Sequence, residues 1–72
     1  MNTSIETALK MLDQQGHRTI SCSYKGQDWY HLLDCHVLLK PQEMEELGDG
    51  VYSFDELMGL LCQRRLEEQG LL

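Results

Sequence analysis

The sequence predicts a small α+β domain in which helices bracket a short antiparallel sheet. Three observations carry that prediction. Capping boxes open a helix near each end, Thr3 with Glu6 and Ser53 with Glu56, and each is followed by apolar residues at helical spacing. Between them the run TISCSY, residues 19–24, alternates apolar with small polar side chains at the period of a strand. A Gly26-Gln27 pair then supplies the positive-φ glycine of a two-residue hairpin turn. At 72 residues the chain holds one domain, 1–72, of the size whose core is marginal without a partner.

The first helix spans residues 3–15. Ile5, Ala8, Leu9 and Leu12 form its apolar stripe, Met11 lies off that stripe, and Gly16 ends it. In the hairpin, a Gly26-Gln27 turn pairs Lys25 with Asp28 and sets Tyr24 opposite Trp29, Cys22 opposite His31 and Ile20 opposite Leu33. Tyr30 and Leu32 then fall on the outer face. A competing pattern exists: Asp28 as a cap with Trp29, Leu32, Leu33, His36 and Val37 at helical spacing would make the chain nearly all-α. The turn-rich stretch 24–29 and its strand-favouring neighbours weigh for the hairpin.

Beyond Asp34 the run CHVLL reads as a further extended segment. Pro41 suits the first position of a short helix, PQEMEEL, with Gly48 as its C-terminal cap. Val51 and Tyr52 are expected to extend the sheet before the last helix. That helix is capped by Ser53, stapled by Tyr52 against Leu57, striped by Leu57, Leu60, Leu61 and Leu66, and ended by Gly70. Leu71 and Leu72 follow, either to tuck onto the core or to meet a partner. Both longer helices are expected on one sheet face, over a core of Ile5, Leu9, Leu12, Ile20, Val37, Phe54, Leu57 and Leu61.

Charge divides the chain. Residues 1–40 carry four acids and four bases, whereas residues 41–72 carry eight acids against Arg64 and Arg65 only, so the net charge of −6 sits in the second half. Such a layout disfavours a phosphate backbone, which needs a basic groove, and favours a basic protein surface. No apolar run approaches the ~20 residues of a membrane span. The N-terminal MNTSIETALK lacks the basic-then-apolar pattern of a signal peptide, and three irregularly spaced cysteines fit reduced thiols, so a cytoplasmic protein is expected.

Little in the sequence points to chemistry. There is no paired-cysteine zinc spacing, and in a strand Cys35 and His36 would point to opposite faces. Cys22 and His31 are the one thiol and imidazole that the expected register brings together, more readily as packing than as a catalytic pair. No phosphate-binding glycine loop is present. The expectation is therefore a non-enzymatic interaction or regulatory module without cofactor or metal. Its partner would be a protein with a basic surface, bound through Tyr30, Leu32, Glu43, Glu45, Glu46 and Asp49. Homodimerisation through an edge strand or the final helix, a nucleic-acid accessory role through Tyr30, Arg64 and Arg65, and a small metal- or thiol-dependent site centred on Cys22 and His31 are the alternatives.

Overall fold

The computed structural model describes residues 3–70. Its elements in order are α1 (Thr3–Gln14), β1 (Thr19–Tyr24), β2 (Gln27–Leu32), β3 (Val37–Leu39), α2 (Pro41–Gly48) and α3 (Phe54–Glu68). The α+β class holds, and the nearly all-α alternative does not: the segment after Asp28 is strand. Among the described residues the strands form one antiparallel sheet in the order β1-β2-β3, with β2 central. Leu71 and Leu72 lie outside the described residues.

The hairpin turns one residue earlier than the glycine position suggested. Lys25 and Gly26 occupy the turn, both with positive φ (52° and 76°), which pairs Tyr24 with Gln27. This is the mirror-image turn favoured between twisted strands, and it places glycine second rather than first. Cys22 therefore faces Trp29, and His31 faces Ile20.

The larger correction concerns which face is buried. Leu32 is fully buried and Tyr30 packs against the core, so both lie on the inner face rather than the outer one. Cross-strand neighbours share a face, so Thr19, Leu39 and Val37 join them there. Ile20, expected in the core, is 46% exposed, and Tyr24 is 64% exposed. The central strand decides the matter. Tyr30 and Leu32 of β2 with Val37 and Leu39 of β3 bury more apolar surface than the alternating face of edge strand β1 alone.

Ala8 and Leu12 of α1, Met44 and Leu47 of α2, and Leu57 and Leu61 of α3 close over that face with Leu32 and Leu39. All three helices thus cover the same side of the sheet. Met44, counted above among no core residues, is fully buried. Ile5, Leu9, Val37 and Phe54 sit at the margin of the core as partly buried residues.

Two helix ends are Schellman motifs. At Gly16 (φ 84°) the His17 amide donates to the Leu12 carbonyl at 2.8 Å and the Gly16 amide to Asp13 at 3.0 Å. At the end of α2 it is Gly50 (φ 77°), not Gly48, that takes the left-handed conformation, with Val51 donating to Glu46 at 2.9 Å. Gly48 is the last helical residue, and it is needed for another reason. A Cβ there would run into the Ser4 carbonyl of α1. Val51 and Tyr52 form a bend and add nothing to the sheet. The Ser53 capping box forms as expected: Ser53 Oγ accepts the Glu56 amide at 3.2 Å, and Glu56 accepts the Ser53 amide at 2.9 Å. These contacts hold the Glu56 carboxyl below its ordinary value, the Ser53 amide being the main cause.

Candidate partner-binding groove

β3 is three residues long and pairs only with β2, so its other side is a sheet edge. α3 runs beside that edge. Leu57 and Leu61 anchor it in the core, while Phe54, Met58 and Cys62, each about one helical turn apart, turn towards the strand. The space between is an apolar groove of about 670 Å³. Val37, Leu38 and Trp29 form its opposite wall. Leu38, in this apolar wall, is 42% exposed.

The two ends of the groove are polar. At one end Trp29 lies beneath two cations, Arg65 at 5.2 Å and Lys40 at 5.7 Å from the ring centroid. Arg65 also donates to the Leu38 carbonyl at 3.1 Å, tying α3 to the strand edge. At the other end His17 joins three segments. The Schellman turn fixes its backbone, its ring stacks on Phe54 at 4.5 Å and 13°, and its Nδ1 lies 2.7 Å from an Asp34 carboxylate oxygen. The His17 hydrogen bond is the main reason the Asp34 carboxyl lies below its ordinary value. Asp34 and Cys35 belong to the turn 33–36, and His36 there has φ 55°. The adjacent Cys35 and His36 are therefore in a turn rather than a strand, so alternation does not separate them, and both line the groove with His17 and Cys62.

The expected acidic face is largely occupied within the chain. Glu43 is 3% exposed and receives hydrogen bonds from Arg64 at 3.3 Å, from Arg65 Nη1 at 3.1 Å and Nη2, and from the Lys40 amide at 2.8 Å. Burial raises its pKa, yet the Arg65 and Lys40 hydrogen bonds with Arg64 outweigh burial and leave the carboxyl below its ordinary value. Glu46 pairs with Arg64 at 2.8 Å, the chief cause of the raised Arg64 pKa. Glu68 meets Lys40 at 2.6 Å and Arg65 at 3.3 Å. Asp49, though exposed, accepts the Ser4 hydroxyl, and Glu45 is half-buried.

The sequence-derived residue set thus divides. Tyr30 and Leu32 belong to the core, and Glu43 and Glu46 to an internal ion-pair clasp. Glu45 and Asp49 remain at the surface of α2 and its end, away from the groove lining. Cys22 and His31 are not directly paired. Arg64 and Arg65, the bases a nucleic acid would need, are bound to carboxylates. What sequence reasoning missed is the groove, built from residues 17, 29, 35–38 and 54–65. Its local trace was the second apolar row on the last helix, Phe54, Met58 and Cys62.

No helix among the described residues is long and apolar enough to cross a membrane. No family model, curated protein or solved structure matches the chain, so geometry alone carries the reading of its function.

Proposed function

We propose that this domain is a non-enzymatic interaction module that receives an apolar segment of a basic partner protein in the groove between α3 and β3. The observation that carries the reading is the groove itself: about 670 Å³ bounded by Trp29, Leu38, Phe54, Met58 and Cys62 in a 72-residue chain. Specific sites for small or extended ligands are concave, mostly apolar and polar at a few fixed points, and this one has that composition. The aromatic side chains of its walls suit an extended or helical peptide.

Charge selects the kind of partner. Three of the six bases, Lys40, Arg64 and Arg65, are already paired with Glu43, Glu46 and Glu68, while the chain retains a net −6. A partner with Lys or Arg flanking its apolar residues is attracted over long range, which acts mainly on the association rate.

The test is selection of a displayed random-peptide library on the full chain. Enriched peptides should carry apolar anchors flanked by basic residues, bind more slowly as salt rises, and change Trp29 fluorescence. Leu38→Glu, on the exposed rim, should abolish that binding while leaving the fold intact. Enrichment of nothing, or peptides that bind Leu38→Glu equally well, would sink the proposal. Concentration-dependent mass in solution would instead identify a second copy of the chain as the occupant.

A further inference from the structure

His17, Asp34 and Cys35 present one nitrogen, one oxygen and one sulfur atom, all within 4.8 Å of one another, at the His17 end of the groove. We propose that these three side chains bind a zinc-type divalent metal ion. The inference is independent of the partner-binding reading, since it rests on donor chemistry rather than on the apolar walls.

Each donor is positioned by its own local structure. His17 follows the glycine of the α1 Schellman motif, and its ring is steadied by stacking on Phe54. The Leu33 amide donates to the Arg18 carbonyl at 2.9 Å, extending the β1 and β2 pairing by one step. That step carries the start of the turn 33–36 alongside residues 17 and 18. Asp34 and Cys35 are consequently delivered to His17 by backbone pairing, not by chance approach of long side chains.

The dimensions suit a small ion. Zinc bonds of ~2.0–2.3 Å to N, O and S place tetrahedral ligand atoms ~3.3–3.7 Å apart. The His17 and Asp34 contact at 2.7 Å must open by about half an ångström, and the sulfur, within 4.8 Å of the other two donors, needs to close by no more than about 1.5 Å to reach those ideal spacings. Side-chain rotation can supply both adjustments, because Asp34 and Cys35 are exposed. His17 and Cys35 of this set line the groove together with His36 and Cys62.

The donor set also selects the metal. A thiolate with an imidazole and a single carboxylate favours zinc and cobalt, whereas magnesium and calcium require mainly oxygen ligands. Binding would link the end of α1 to the β2–β3 turn.

Cobalt is the spectroscopic probe. The reduced 72-residue chain, stripped of metal and titrated with Co2+, should develop visible bands of tetrahedral intensity and a sulfur-to-cobalt charge-transfer band in the near ultraviolet at one equivalent. Zinc should bleach both, and magnesium should not. Cys35→Ser should remove the charge-transfer band, His17→Gln should weaken binding at least about tenfold, and Cys22→Ser should change neither. Circular dichroism on each variant separates lost ligation from lost folding, and because Cys35 is exposed its Ser variant should fold. Absence of the bands in wild type, or a charge-transfer band that survives Cys35→Ser or disappears with Cys22→Ser, would overturn the assignment.

Discussion

Replacing Glu43 tests how the buried clasp between α2 and α3 contributes to stability. Glu43 is 3% exposed and its carboxylate accepts four hydrogen bonds: one from the Lys40 amide, one from Arg64 and two from Arg65. Truncating one member of a buried ion pair typically costs about 3–5 kcal/mol, because the partner charge is stranded. Here the cations are not stranded. Arg64 keeps Glu46 at 2.8 Å, and Arg65 keeps Glu68 at 3.3 Å and the Leu38 carbonyl at 3.1 Å. Their side chains are 29% and 23% exposed, so water reaches them as well. We therefore expect about 1–2 kcal/mol from the two guanidinium contacts and about 1 kcal/mol from the lost Lys40 amide bond at the helix start. Glu43→Ala should lower the unfolding free energy by about 2–3 kcal/mol. Glu43→Gln retains volume and an acceptor for Lys40, and should lose about 1–2 kcal/mol.

For a chain of this length the total is of order 4–11 kcal/mol, so the Ala variant would shift a urea midpoint visibly. The assay is equilibrium urea unfolding followed by fluorescence of Trp29, the single tryptophan, which lies under Arg65. A Glu43→Ala variant within about 0.5 kcal/mol of wild type would refute the reasoning. A double-mutant cycle with Arg65→Ala should return a coupling above about 0.5 kcal/mol.

Further expectations address other elements. Because the Glu43 carboxyl is held below its ordinary value of 4.5, the stability it contributes is fully present above that value and is lost as pH falls through the lower folded-state value. Unfolding measured across that acid range should depend less on pH in Glu43→Gln than in wild type. Gly48→Ala should destabilise by about 2 kcal/mol or more, since its Cβ meets the Ser4 carbonyl. Gly59→Ala, at an open position of α3, should stabilise by about 0.5–1 kcal/mol, and thermal melts would show the two opposite shifts. Thr19 Oγ1 is buried without a hydrogen-bond partner, so Thr19→Val should raise the unfolding free energy by about 1 kcal/mol. A loss in that variant would show that the hydroxyl is satisfied.

What the sequence made legible is what short-range physics determines. Ser53 with Glu56, Gly16 and Gly70, and Pro41 announce helix ends because their partners lie within a turn or so, and each acts where expected. The sheet's buried face was not legible from β1, since alternation reveals that two faces differ but not which one the helices cover. That choice belongs to β2 and β3 together. The same limit hid Glu43: its partners Arg64 and Arg65 are 21 and 22 residues away, and nothing local marks a buried carboxylate. The one clue was compositional, two adjacent arginines amid eight acids. Gly48 was singled out as a cap, but the close approach of α1 to α2, rather than a turn, is what requires it. The groove and the His17 cluster need residues from three or more segments, so no spacing along the chain encodes them.

The attachment of α3 has a mechanical consequence. Beyond its two core leucines, the helix is secured by contacts of opposite kinds: ring stacking between Phe54 and His17 at its start, and carboxylate clasps on Arg64 and Arg65 near its end. Its attachment is thus that of a hinged cover, with the axis at the aromatic end and the latch at the ionic one. Protonation of Glu43 loosens the latch, so amide-exchange protection, corrected for the intrinsic rate at each pH, should fall in the last turns of α3 on acidification. Loosening there would widen the groove from its arginine end.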